Sequence, residues 1–389
     1  MSSEIESILP IGWKKTYLGE ISDFKGGSQP PKSQFIFKEK KGYVRFLQIR
    51  DFASDKNITY IPISSKNRYC REDDILLGRY GASVGKILTG KAGAYNVAVM
   101  KTYPDLKVVN KDFFYLYLCS NHFQKNLLNV TSRRSAQAGF SKKDISVFPF
   151  PLPPLSEQKR ISSKINSLFA KIDKAITLTE ESLKEAENLL PSFLKQVFDK
   201  NEIDGWKECK LNELVSYDKS KYTESNKPYV GLEHIQSNTG VFTGTKDPLR
   251  VKSSTFRFDN RHILYGRLRP YLNKVFVPEF EGHCSTEIFP ILTNHLVDRK
   301  FLSFWFMSPQ TVNSINLTCT GTRMPRANMK EILNFKIHIP DFNKQISIVN
   351  LIQKINNQSN QNQLKLKSQL NNFKNLKSSI LSKAFSGEL

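Results

Sequence analysis

Two long stretches of the chain repeat their apolar residues at helical spacing. In the first, Ile161, Ile165, Leu168, Ile172, Ala175, Thr179, Ala186 and Leu189 fall three, four or seven apart. In the second, Ile348, Ile352, Ile355, Leu366, Phe373, Leu376 and Ile380 form the same kind of seam, interrupted by polar Ser359 and Asn362. Seams this long exceed an ordinary globular helix and predict a coiled coil, each rod spanning roughly 60 Å at 1.5 Å per residue. Pro191 is expected to kink or end the first rod before Gly205. The simplest arrangement is antiparallel pairing of the two rods within one chain, with the folded regions at opposite ends. Pairing with another subunit's helices satisfies the same seam.

The pattern differs ahead of each rod. Short β-rich runs such as Tyr43–Ile49 and Ala94–Met100 alternate with Gly, Asn and Lys. Lys111–Leu128 reads as a helix with Phe113, Phe114, Leu116, Tyr117 and Leu118 on its apolar face, and Phe301–Met307 is its later partner. These aromatics are expected in the core. Pro149–Pro154 cannot be helical and ends the first region. The chain then says much of this again. Gly12-Trp13-Lys14 restarts at Gly205-Trp206-Lys207, and Asp74-Ile75-Leu76-Leu77-Gly78-Arg79 answers to His262-Ile263-Leu264-Tyr265-Gly266-Arg267. A period of about 190 residues is too long for a solenoid and marks a duplicated domain. The expected fold is α+β: two similar mixed α/β heads, residues 1–152 and 201–340, separated by helices 153–200 and 341–389.

Charge changes the picture. The chain carries a formal net charge of +22, with 24 Lys and Arg against 13 Asp and Glu in residues 1–150, but 8 against 7 in residues 151–200. A basic excess concentrated on a head points to a polyanion. The five cysteines (70, 119, 209, 284, 319) show no chelating spacing, which argues against zinc and a disulfide framework. No stretch approaches 18 consecutive apolar residues and no signal pattern opens the sequence, so a soluble cytoplasmic protein is expected.

Catalytic motifs fail on inspection. Gly81-Ala82-Ser83-Val84-Gly85-Lys86 is one residue short of a phosphate-binding loop and is followed by Ile87 where Ser or Thr would hold magnesium. Phe24–Ser28 and Asn226–Tyr229 each fall one residue from a DNA aminomethyltransferase signature. No catalytic, cofactor or metal residue is expected. Arginine-rich loops are stronger candidates, for DNA binding: Arg79, Tyr80, Ser83 and Lys86, then Arg133 and Arg134, in the first head. Their counterparts are Arg267, Arg269, Tyr271 and Lys274, then Thr322, Arg323 and Arg326, in the second. Arg binds phosphate bidentately or reads guanine in the major groove, while small hydroxyl residues position on phosphate.

The run Phe150-Pro151-Leu152-Pro153-Pro154-Leu155-Ser156-Glu157-Gln158-Lys159-Arg160-Ile161 resembles the start of the conserved region in type I restriction–modification specificity subunits, and Ser379–Leu389 is similar to its end. The loops Gly78–Lys86, Leu264–Val275 and Gly321–Arg326 also resemble that family's. The resemblance implies a non-catalytic subunit whose two recognition domains read a bipartite, non-palindromic DNA target. It implies docking of two adenine-methylating modification subunits, and of restriction subunits, beside the helices. S-adenosylmethionine, ATP and magnesium are then expected in those partners. Ile161, Ile165, Leu168, Ile172, Ile348, Ile352, Ile355, Phe373, Leu376 and Ile380 are the expected spacer and docking positions. Two departures stand out: Ile339-Pro340-Asp341-Phe342-Asn343-Lys344-Gln345 replaces the Pro-Pro-Leu-Ser-Glu-Gln run, and the first helix lacks a Gly-Glu-Leu ending. The competing reading is a stand-alone DNA-binding regulator that dimerises through its heptads.

Overall fold

The computed structural model describes residues 9–132, 139–199, 205–224, 226–321 and 323–389. It divides into two units: residues up to Leu178 with Gln369–Leu389, and Thr179–Ser368.

In the first unit β1 (Lys14–Tyr17) leads through a single helical turn, α1 (Leu18–Ile21), into β2 (Ser22–Gly26). β3 (Tyr43–Leu47), β4 (Tyr60–Pro62), β5 (Tyr69–Cys70), β6 (Leu76–Gly78), β7 (Ile87–Leu88), β8 (Gly93–Tyr95) and β9 (Val99–Pro104) follow. α2 (Lys111–Cys119), α3 (Asn121–Thr131) and α4 (Lys142–Ser146) precede β10 (Pro149–Leu152). One sheet has the order β2-β9-β6-β7, a second β4-β3-β8-β5, and β1 pairs antiparallel with β10. The apolar run Ala94–Met100 is thus two strands in two sheets, with Asn96 and Val97 in the turn between them.

The single helix expected over Lys111–Leu128 is two. Fully buried Ser120 splits them by accepting from the Phe123 amide at 3.5 Å while its hydroxyl donates to the Tyr117 carbonyl at 2.6 Å. A side chain that competes with the backbone ladder in this way favours a cap over a continuous helix. Phe113, Phe114, Leu116, Tyr117 and Leu118 are all core residues.

α5 (Leu155–Phe198) follows and runs from the first unit into the second. It continues seven residues past Pro191, so the proline does not end it.

The second unit repeats the plan. β11 (Lys207–Lys210), β12 (Val215–Tyr217), β13 (Lys221–Tyr222), β14 (Tyr229–Val230), β15 (Thr255–Phe258), β16 (His262–Gly266), β17 (Val275–Phe276), β18 (Gly282–Ser285) and β19 (Ile288–Thr293) lead to three helices. These are α6 (Arg299–Met307), α7 (Pro309–Leu317) and α8 (Met329–Ile332), before β20 (Lys336–Ile339) and α9 (Phe342–Ser386). The first sheet, β12-β19-β16-β17, matches strand for strand. The second, β13-β15-β18-β14, keeps the three-strand core, with β14 parallel to β18 as β3 is to β8. Its fourth strand lies on the opposite edge: β13 flanks β15, whereas β4 flanks β3.

Within each unit the two long helices run antiparallel. In the first, Lys377 pairs with Asp173 and Lys164 reaches the Leu389 carbonyl at 3.0 Å. In the second, the Ser359 hydroxyl donates to the Ala186 carbonyl at 2.6 Å. Ile161, Ile165 and Ile172 are buried, Leu168 half-buried, Ile352 buried, and Ile348, Ile355, Phe373 and Ile380 half-buried. Two expected seam positions are wrong. Leu376 is 47% exposed and Leu189 45%. The stripe passes instead through Lys377 and Leu190, because two successive spacings of four (Ala186, Leu190, Leu194; Phe373, Lys377, Leu381) carry it one residue past the three-four alternation of a heptad and offset the heptad's drift. Ser359 does not interrupt the seam; it is 2% exposed and satisfied across it, while Asn362 faces outward.

A buried glutamine fastens each helix to its head. Gln158 Nε2 donates to the carbonyls of Val108 (3.0 Å) and Pro153 (2.8 Å), and its Oε1 accepts from the Asn110 amide at 2.7 Å. Gln345 repeats this with Leu296 and Pro340 (both 3.0 Å) and the Asp298 amide (2.8 Å). Pro340–Gln345 is therefore in register with Pro153–Gln158, despite the differences between the two runs. Beyond each clamp an aromatic seals the head: Phe385 packs on Phe113 (centroids 5.1 Å), and Phe198 on Phe301 (5.3 Å).

Candidate nucleic-acid interface

Each head sets an arginine, Arg79 or Arg267, at the same place, where a central strand of the first sheet ends. In the first unit β6 stops at Gly78, whose lack of a side chain is required: a Cβ there would lie 2.1 Å from the Ser83 carbonyl oxygen. Gly78 N–H donates to the Lys86 carbonyl and Gly85 N–H to the Gly78 carbonyl, so Gly78–Lys86 closes a hairpin into β7. A strand-to-strand hairpin offers no long-helix N-terminus to a phosphate, which removes the phosphate-loop reading on structural grounds. Arg79 lies with its guanidinium carbon 4.9 Å from the Tyr80 ring centroid and donates through Nε to the Phe140 carbonyl at 2.8 Å. Tyr80 forms a bridge with Gly139. Gly139–Phe140 and the Arg79 turn, distant in sequence, thus lie side by side. Arg133 and Arg134 fall outside the described residues. Lys86 is exposed, while the Ser83 hydroxyl is turned inward onto the Tyr80 carbonyl at 2.6 Å.

The second unit carries the same stitch. Leu268 bridges Arg326, the Arg269 amide donates to the Pro325 carbonyl and the Ala327 amide to the Arg267 carbonyl. Arg269 (φ 52) and Asn273 (φ 48) bracket a helical turn over Pro270–Leu272 in the left-handed region that asparagine tolerates better than arginine. Arg269, Tyr271 and Arg323 are exposed; Thr322 lies outside the described residues. Lys274 is otherwise engaged: its ammonium donates to the carbonyls of Leu232 (2.7 Å) and Ile235 (2.8 Å) and ties a neighbouring loop down.

Sequence reasoning missed Glu287. Its carboxylate accepts from Arg326 Nε (3.0 Å) and Nη2 (2.8 Å) and lies 3.8 Å from Arg267 Nε. This pairing raises the Arg326 pKa above its ordinary value. Arg267 also lies over Phe289, 5.2 Å from the ring centroid. The signal was an acid immediately before a buried strand, in a position that the duplication pairs with Ala98: the amide of Arg79 donates to the Ala98 carbonyl as that of Arg267 does to Glu287.

Among the described residues no group of His, Cys, Asp and Glu side chains is arranged to hold a metal ion, and no helix is long and apolar enough to cross a membrane. The cysteine thiols are pushed up by burial, Cys70 and Cys119 to about 11, so they are protonated and inert at neutral pH.

Two similar heads, each with an arginine turn stitched to a segment distant in sequence and joined through long helices, define a modular DNA-recognition protein. Residues 10–188 and 203–372 match the type I restriction modification DNA specificity domain, and the chain belongs to that family; its part is recognition rather than catalysis. It is 26% identical to the type I restriction enzyme EcoDI specificity subunit of Escherichia coli, over 98% of this chain and 89% of that one. It is also 26% identical to the MjaVIII specificity subunit of Methanocaldococcus jannaschii, over 90% and 87%. The fold is shared with a chain solved in work on complex assembly and conformational transition of the type I R-M system (TM-score 0.79, 17% identity, covering 98% and 99%). It is shared also with the HsdS subunit from Thermoanaerobacter tengcongensis (TM-score 0.59, 19% identity, covering 98% of each).

Proposed function

We propose that each head reads one half of a bipartite, non-palindromic DNA sequence and that the paired helices set the unread gap between the halves. The recognition heads are residues 1–152 and 201–340, and the spacers 153–200 and 341–389. What supports this reading is the repeated stitch: in both heads, two segments far apart in sequence meet beside the end of the same strand, at Arg79 in the first and at Arg267 and Arg326 in the second. Exposed Lys86, Arg269, Tyr271 and Arg323 would supply further phosphate or base contacts, together with Arg133, Arg134 and Thr322. Lys274 and Ser83 support these loops from within rather than touching DNA.

The partners that fit are duplex DNA, two modification subunits that methylate adenine, and restriction subunits that translocate and cut. S-adenosylmethionine, ATP and magnesium belong to those partners, and the assembly works in the cytoplasm. Arg79→Ala and Arg267→Ala test the division of labour when the modified sites of a host carrying the whole system are sequenced. Each variant should alter one half-site, a different one. A base contact relaxes a single position, and a phosphate contact weakens all sequences and lowers the salt slope by about one. If both variants change the same half-site, the division into one head per half-site fails.

A further inference from the structure

Glu287 faces two cations with one negative charge. A half-buried acid among DNA-binding arginines weakens attraction to phosphate, so its presence requires a compensating role. The donor count on Arg326 supplies one. A guanidinium has five N–H groups in a fixed plane. Glu287 takes Nε–H and one proton of Nη2, along the side of the fork, and the Met324 carbonyl takes one proton of Nη1 at 3.4 Å. One N–H remains on each terminal nitrogen, that of Nη2 at the end of the side chain. The Arg326 side chain is 36% exposed, so that end is open to a ligand. Arg267, resting on Phe289 with its Nε unbonded, lies 3.8 Å from the same carboxylate.

We propose that Glu287 is a positioning residue: it holds Arg326 end-on toward a pair of acceptors on a base edge, that of guanine, and so determines specificity at one position of the second head's half-site. The inference rests on the reading of these loops as the DNA interface. Guanine is chosen because its O6 and N7 present two adjacent acceptors at the spacing of the fork. A phosphate would be met as well by a free arginine, with no need of an acid beside it. Among the described residues the first head has no such device. Ala98 stands where Glu287 does, and Gly139 occupies the place of Arg326, as the matching bridges Tyr80–Gly139 and Leu268–Arg326 show. The two heads therefore read by different means, and the first is an internal control.

The test is selection of bound duplexes from a randomised pool by the chain purified together with the subunits it assembles with. Glu287→Gln, Arg326→Lys, Arg326→Ala and Arg267→Ala are run beside the unaltered chain. Glu287→Gln should lower the guanine preference at one position of one half-site by about tenfold and leave the other half-site intact. It should also bind scrambled DNA at least as tightly as the unaltered chain, since an anion has been removed. Arg326→Lys, which keeps the charge but loses the fork, should relax the same position. Selection by Glu287→Gln of the unaltered motif, while Arg326→Ala relaxes a position, overturns the positioning role alone. An equal loss on every sequence, with a lowered melting temperature, makes Glu287 merely structural and overturns it too. Should Arg326→Ala and Arg267→Ala both select the unaltered motif, the loops are not the interface and the broader reading falls.

Discussion

Replacing Gln345 with Leu removes three hydrogen bonds to backbone groups in a fully buried place, at nearly constant side-chain volume. The Asp298 amide and the carbonyls of Leu296 and Pro340 lose their partner, and Gln345 itself is fully buried. A buried polar group left unsatisfied costs about 1–3 kcal/mol. Leu recovers part of this by burying apolar surface, so the expected loss is about 3–5 kcal/mol. For a unit of this size that corresponds to a fall in melting temperature of roughly 6–20 °C. Scanning calorimetry should resolve the effect by unit. Gln345→Leu should lower the transition of Thr179–Ser368, and Gln158→Leu that of the other unit, by similar amounts. Gln361→Ala, an exposed change on the same helix, should stay within about 0.5 kcal/mol. A loss below about 1 kcal/mol for either glutamine would mean that the clamp does not fasten helix to head, and the reasoning would be refuted.

Phe385→Ala should cost about 3–5 kcal/mol in the first unit alone, because its ring, 3% exposed, fills the space between Phe113 and Tyr117; urea unfolding followed by tryptophan fluorescence reads it. Stability should also fall on acidification. Burial lowers the pKa of His122 and His283 below the ordinary 6.5, so their contribution is present above that value. It is lost as pH falls through the folded values, where the unfolded chain takes up protons first. Melting temperatures between pH 7 and 5 should decline, and His283→Asn should make the decline shallower; an unchanged slope would count against it.

Much of this was legible in the sequence because duplication repeats its signals. The restart at Gly205-Trp206-Lys207 and the echo of Asp74–Arg79 in His262–Arg267 return as matching strands in matching sheets. The seam was legible as far as leucine and isoleucine carried it. Lys377 was not, since a charged side chain enters the stripe only where a partner awaits: its ammonium lies 4.9 Å from the Phe169 ring centroid and reaches Asp173. Ser120 hid inside an apolar run as a helix break, since one small hydroxyl does not disturb the periodicity around it. In the candidate interface the loops were visible but not their internal economy. Lys274 and Ser83 turn inward to carbonyls, and Glu287 lies twenty residues from Arg267 in sequence. Such pairings depend on which strands become neighbours, which local composition does not encode.

If paired helices in one polypeptide fix the gap between two half-sites, lengthening the helices must lengthen the gap. Inserting four residues into each helix, between Ala175 and Leu178 and at the facing stretch of α9, advances each by about 6 Å and little more than a full turn, so the seam is kept. That distance is one or two base pairs of duplex. Sequencing the modified sites of a host carrying the altered chain should return both half-sites unchanged, separated by a gap longer by one or two base pairs. The original gap, with full activity, would contradict the account.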